Sequence, residues 1–176
     1  MKAEDVSVRG LEWDDFDDIV RCYYSYYDEL SVNPDLGITL YASKPSLADE
    51  ISWFSGLYTQ FVEGKAFVSV AETGGHVGGI CDIRPIGNRE EEAHVGVLGI
   101  ALIPEIRGMG IGEKMMSRTL NEARLRYKII VLDVFTVNKA ARKLYSKMGF
   151  KTIGVLPKAL KRGGRYYDEE RMYLEL

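Results

Sequence analysis

Between Gly99 and Gly112 the chain reads Gly-Ile-Ala-Leu-Ile-Pro-Glu-Ile-Arg-Gly-Met-Gly-Ile-Gly. Three glycines alternate at 108, 110 and 112, directly after Arg107 and at the head of an apolar-periodic run that begins at Ile111. Glycine lets backbone approach a ligand with no Cβ in the way, and a helix start offers unpaired N–H groups and the positive end of its dipole. The chemistry open to this stretch is therefore the holding of an anion, phosphate above all. Spacing narrows the ligand. A dinucleotide fingerprint begun at Gly108 and Gly110 needs a third glycine where Glu113 stands, and a Walker loop begun at Gly108 needs a glycine at that same place, before Lys114. Neither template fits. Asp133 lies about 20 residues beyond the glycines, where a dinucleotide enzyme places its ribose-binding acid, but it lacks the loop that would go with it.

A second block lies one helix and one strand downstream. Asn138-Lys-Ala-Ala-Arg-Lys-Leu-Tyr-Ser-Lys-Met-Gly-Phe150 opens on a good N-cap, carries Tyr145 on the helix it starts, and closes on Gly149 as a C′ stop. Arg-x-x-Gly-x-Gly after a strand, followed by this block, resembles the GNAT superfamily of N-acetyltransferases over about residues 66–156. The flanks match only its general outline. The resemblance implies a mixed α/β fold, a central sheet of about six or seven strands flanked by about four helices, in one domain over residues 1–176. It implies acetyl-CoA as donor, with the amides of Gly108, Met109, Gly110, Ile111 and Gly112, together with Arg107, on the pyrophosphate. Ile100, Ala101 and Leu102 match the bulged strand whose backbone pairs with the pantetheine arm and stabilises the thioester oxyanion. Asn138 would touch that arm while capping its helix, and Tyr145 matches the family's general acid.

Acetyl transfer from a thioester to an amine needs an unprotonated nucleophile, a stabilised oxyanion and a proton for the departing thiolate. A phenol with a pKa of about 10 stays protonated at neutral pH and can serve a thiol of roughly 8.5. Against that role, Tyr145 also completes an apolar face with Ala141, Leu144 and Met148. The base is less legible. The positions that carry it in many family members correspond to Gly96 and Leu98, which cannot take a proton, so the candidates are His94, Glu92 or a water chain. Cys22 and Cys81 lie outside both motifs, which speaks for direct transfer in a ternary complex rather than an acyl-enzyme.

Elements that would position these groups follow from periodicity. Asp5–Arg9 alternates as a strand, and Asp14–Leu30 carries a helical stripe with four acids in its first turn, favourable to the dipole. Tyr23, Tyr24, Tyr26 and Tyr27 crowd more than one face of that helix, so at least one lines a cleft or is exposed. Residues 31–45 read as a loop. Ser46 and Asp49 form a capping box for a helix to Phe61 with apolar positions 47, 51, 54, 58 and 61. Residues 66–71 and 77–83 form a hairpin with His76 at its solvated turn. Residues 93–103, 128–135 and 150–156 read as strands and 111–127 as a helix. Residues 157–165 form a basic, solvated loop before a last strand from Tyr167.

With 176 residues, 46% hydrophobic and 28% charged, the composition is that of an ordinary globular domain. A net charge of −3 speaks against a nucleic-acid partner. No leader over residues 1–10, no apolar run near 18 residues and two isolated cysteines point to a reducing cytoplasm, no membrane and no metal. Acids in the pocket helices (Asp28, Glu29, Asp35, Asp49, Glu50) suit a small cationic amine such as a polyamine; a peptide N-terminus is the other acceptor the family offers. Family members are often homodimers. The competing class is a non-catalytic acyl-CoA-binding regulatory module.

Overall fold

A computed structural model describes residues 2–176, so Met1 of the expected domain and leaderless start lies outside it. In chain order the elements are β1 (Val6–Gly10), α1 (Phe16–Val32), α2 (Leu47–Val62), β2 (Phe67–Thr73), β3 (His76–Pro85), β4 (Val95–Leu102), α3 (Ile111–Ala123), β5 (Ile129–Phe135), α4 (Lys139–Lys147), β6 (Lys151–Arg162) and β7 (Arg165–Glu175). The strands form one mixed sheet in the order β1-β2-β3-β4-β5-β7-β6. Its one parallel pair, β4 with β5, is joined by the crossover helix α3. The expected mixed α/β sandwich is therefore present, with seven strands and four α-helices among the described residues.

Alternation along the strands sends side chains to two separate cores. Cys81, Ile83, Leu98, Ile130 and Leu132 pack with Met115, Met116 and Leu120 of α3 and Tyr145 of α4. On the other face Val68, Val70 and Val77 pack with Ile19 of α1 and with Phe54 and Leu57 of α2.

Three local expectations are corrected. The acids at the head of α1 do more than meet a dipole: Asp15 is buried and takes two hydrogen bonds from Arg9 at 2.7 and 2.9 Å, and Asp18 accepts from the Val77 amide at 2.7 Å. The Ser46–Asp49 capping box is present and Phe54, Tyr58 and Phe61 pack on the core, but Leu47 and Ile51 are exposed, and Glu50 and Leu57 are buried alongside Phe54. Residues up to Arg162 belong to β6 rather than to a solvated loop, and only Gly163–Gly164 make the turn to β7, both at positive φ.

That hairpin pins the segment between α1 and α2. Arg162 donates to the carbonyls of Leu36 and Ile38, while Arg165 and the Tyr167 hydroxyl hold Asp35 at 3.0 and 2.9 Å. Asn138 adds a tie: its Oδ1 caps α4 by accepting from Ala141 N at 3.1 Å, and its Nδ2 donates to Gly37 O at 2.9 Å. Asn138→Ala removes a cap and a loop contact together. It should cost about 2 kcal/mol, at roughly 1 kcal/mol for each, read as a lowered urea midpoint.

Candidate active site

The backbone of β4 is paired on one side only over its second half. Against β3 it runs from Pro85↔Gly96 to Gly79↔Leu102 with no register shift, whereas against β5 it pairs only at Val95, Gly96 and Val97. Ile86 N donates to Val95 O and Ile103 N to Gly78 O, so the odd-numbered residues turn their polar groups to β3 and the even-numbered ones turn away from it. The expected bulge in this strand is absent from the β3 ladder; the opening comes from β4 and β5 parting after Val97. Ile100 and Leu102 thus face the opening through their backbone, whereas Ala101 turns its N–H to β3 and its side chain to the opposite face of the sheet.

The glycine loop closes one end of this opening. Gly108 and Gly110 have φ of +73° and +80°, and a Cβ built on either meets nothing within 4 Å, so both leave room for a ligand at backbone distance. Gly112 is different: a Cβ there would lie 3.1 Å from Leu144 Cδ2, so its role is close packing of α3 on α4. The first bond of α3 runs from Lys114 N to Gly110 O at 3.1 Å, which leaves the amides of Ile111, Gly112 and Glu113 without helical partners. Ile111 is buried and Met109 packs on the same core, fixing the loop from beneath. Free amides, an open cradle and an unpaired strand edge together fit the pyrophosphate and pantetheine of acetyl-CoA.

Other expected groups lie elsewhere. The Arg107 guanidinium is committed to α1: it grips Glu29 at 2.5 and 2.8 Å, donates through Nε to Leu102 O at 2.7 Å, and lies 5.9 Å from the centre of the Tyr26 ring. It braces the loop rather than reaching over it. The side chain of Asn138 is spent on its cap and on Gly37, as described above. His94 is exposed in the turn before β4, six residues short of Ile100 and so roughly 20 Å away at strand rise. Glu92 is bound to Arg89, which holds its carboxyl below the ordinary range. Gly96 and Leu98 cannot host a base because both face the α3 core: a Cβ on Gly96 would lie 2.7 Å from Ile83 Cγ2, and Leu98 is buried.

Tyr145 is buried on α4 beside Phe150, its hydroxyl without a hydrogen-bond partner among the described residues. Burial pushes its pKa up, and the Cys81 thiol adds a smaller push in the same direction. Cys81 is the register partner of Ile100, so the phenol stands at the level where β4 is unpaired.

On the opposite face of the sheet a cavity of about 760 Å³ opens between α1, α2, β3 and the loop. Ala101 reaches its wall. Tyr23 and Tyr26 line it, while Tyr24 and Tyr27 hold the loop by donating to Pro45 O at 2.9 Å and Ser43 O at 3.1 Å. Of the five acids expected to favour a cation, Asp28 is exposed and outside the cavity lining, Glu29 is bound to Arg107, Asp35 to Arg165 and Asp49 to the cap of α2; only Glu50 stands buried in the cavity without a partner for one oxygen. Arg84 faces it from β3, its Nε donating to buried Asp82 at 2.5 Å. The sequence placed Glu50 among five acids of the pocket helices without separating it from the other four, and it did not single out Arg84. The signal was available: Glu50 shares the i, i+4, i+7 stripe of Phe54 and Leu57, a carboxylate in an apolar phase.

Gly110→Asp sets a carboxylate against the cradle; its Cβ meets no neighbour within 4 Å, and the strain of a side chain at φ +80° stays within the loop. Acetyl-CoA binding should be lost by calorimetry while the far-ultraviolet spectrum stays native; tight binding by this variant would place the nucleotide elsewhere.

Comparison with known proteins agrees with this geometry. Residues 13–150 match the family model for the acetyltransferase (GNAT) family. An uncharacterized N-acetyltransferase of Archaeoglobus fulgidus is 30% identical over 149 residues, covering 83% of this chain and 93% of that protein. Another, from Methanocaldococcus jannaschii, is 27% identical and covers 82% of this chain, which spans only 60% of that relative's length. The fold superposes on YncA of Salmonella typhimurium, solved with acetyl-CoA, with a TM-score of 0.81 at 20% identity over 97% of this chain and 94% of that one. No helix among the described residues is long and apolar enough to cross a membrane, and no group of three metal-ligating side chains gathers among them. This chain belongs to the GNAT family of acetyltransferases, which use acetyl-CoA as acyl donor.

Proposed function

We propose that the chain transfers the acetyl group of acetyl-CoA directly to the primary amine of a small acceptor held in the cavity between α1 and α2. The observation that carries this reading is the unpaired half of β4: Ile100 and Leu102 face the opening beside Tyr145, and Ala101 between them lines the cavity. Acyl donor and amine can then meet at one strand from opposite faces of one sheet.

When bound, acetyl-CoA supplies the thioester; the remaining work falls to the chain. Amides of residues 108–112 hold its phosphates. The Ile100 amide donates to the acyl carbonyl, worth most in a site closed to water. Tyr145, kept protonated by burial, donates to the sulfur as the thiol leaves. No thiol competes as a nucleophile: burial pushes Cys22 up to about 11, its Sγ–H donates to Val77 O at 3.1 Å, and burial raises Cys81 as well. Such thiols suit a reducing compartment, and a cytoplasmic setting belongs to this reading. So does a homodimer through edge strand β6, whose Ile153, Val155 and Leu156 are exposed.

Release of CoA thiol is the test, with spermidine, free amino acids and short peptides with free N-termini as acceptors. Turnover should depend on a small acceptor, and Tyr145→Phe should lower it by about 10² to 10⁴ while acetyl-CoA affinity holds. Unchanged turnover would remove Tyr145 from the chemistry. Acetyl-CoA binding with no turnover on any acceptor would favour the regulatory module.

A further inference from the structure

Two buried side-chain polar atoms lack a hydrogen-bond partner among the described residues, Glu50 Oε1 and Tyr26 Oη, and both residues line the same cavity. Buried polar atoms are nearly always satisfied, because leaving one unpaired costs as much as a lost hydrogen bond or more. Two residues with an unsatisfied polar atom in the wall of one cavity, one of them a carboxylate with no hydrogen bond to either oxygen among the described residues, therefore mark a place shaped for a polar guest. Their chemistry differs usefully. Glu50 is an acceptor when ionised, Tyr26 a donor, and Arg84 adds a guanidinium whose Nε is taken by Asp82 while its two terminal nitrogens have no partner among the described residues. A carboxylate and a free guanidinium fork in one cavity match a molecule that carries an ammonium and a carboxylate. A polyamine would gain from Glu50 and be repelled by Arg84.

We propose that Glu50 is the general base and Arg84 the specificity residue of an acceptor site for α-amino acids; this rests on the acetyltransferase reading above. Glu50 receives the acceptor's ammonium and takes one proton from it. The freed lone pair forms the C–N bond as the C–S bond breaks. Tyr145 protonates the leaving sulfur and is restored by the second nitrogen proton, so the products are N-acetylamino acid and CoA thiol. One net proton passes from Glu50 to solvent. Arg84 meanwhile holds the α-carboxylate through its terminal nitrogens, as a planar fork does well.

Burial, with a smaller contribution from Asp49, pushes the Glu50 carboxyl above its ordinary range, towards what a base working near neutrality needs. The titratable and charged groups around it are Asp49 on its own helix, Cys22, Tyr23, Tyr24 and Tyr26 on α1, Tyr41 on the loop, and Arg84 with its partner Asp82 on β3. Because the folded pKa is raised, the carboxylate costs stability as pH rises through that range, and the cost persists at neutral pH.

The experiment compares matched acceptors on the full chain: L-methionine against 3-(methylthio)propylamine, L-phenylalanine against phenethylamine, and spermidine. Each is followed by CoA release and, in the presence of CoA, by calorimetric binding. Amino acids should exceed their decarboxylated partners by at least tenfold in kcat/KM. Arg84→Lys, which keeps a cation for Asp82, should erase that margin mainly through KM. Glu50→Gln should lower kcat by 10² to 10⁴ and abolish the rise of rate with pH, yet raise Tm, whereas Glu50→Asp should restore part of the pH dependence. A merely structural Glu50 would leave the pH profile intact. Equal or faster turnover of the decarboxylated amines or of spermidine overturns the amino-acid site and leaves the acetyltransferase standing. Amino acids that bind in an Arg84-dependent manner without turnover would overturn the base and the acetyltransferase reading together. Acceptors that neither bind nor react would overturn the whole proposal.

Discussion

Pairing between β4 and β5 lasts for three residues and then stops, and the remainder of the site depends on that interruption. A strand edge left open inside a sheet exposes N–H and C=O groups that need partners. Here β5 cannot close the gap, because it is held along its whole length by β7, from Ile129↔Glu175 to Phe135↔Glu169. Nor can β4 move across, because β3 fixes it from Gly96 to Leu102. Two continuous ladders thus flank two strands that the short parallel segment joins, and the opening lies between them. Arg107 takes one of the exposed carbonyls, Leu102 O, and leaves the Ile100 groups for a ligand.

The same division serves electrostatics. On the α3 side the opening meets helix-start amides and two open glycines, a setting for anions. On the α1 side it meets a cavity lined by one unpaired carboxylate, the phenols of Tyr23, Tyr26 and Tyr41, and one guanidinium. A seven-stranded sheet separates the two, so on the proposed reading a phosphate-bearing donor and an amine acceptor would be sorted by charge before they meet. Ion pairs tune this sorting: Glu29 is neutralised by Arg107 and Asp35 by Arg165, which leaves Glu50 as the buried acid of the cavity. The loop after α1 is held over the cavity by the β6–β7 hairpin. Basic residues that read as a solvated surface therefore act as its clamp.

The glycine loop and the cap of α4 were legible because they are local. Gly108 and Gly110 need left-handed backbone, Asn138 caps α4, and Gly149 stops it at φ +92°; each requirement is met within a few residues and leaves its mark in residue type. The acceptor side was not legible in the same way. Arg107 and Glu29 are 78 positions apart, and the two tie loop to helix instead of loop to phosphate. At the start of α2 the stripe was misread, because Leu47 and Ile51 look like core and are exposed, while Glu50 looks like a helix-start acid and is buried.

The chain by itself therefore determined most of the elements, their order, the open glycine loop and the helix that carries Tyr145, since caps, turns and periodicity are settled by neighbours along the backbone. Only the tertiary structure decided which strand edge stays open, which charges neutralise one another and which carboxylate stands unpartnered in a cavity. Those depend on which distant segments are pressed together, and a buried charge is set by everything that surrounds it.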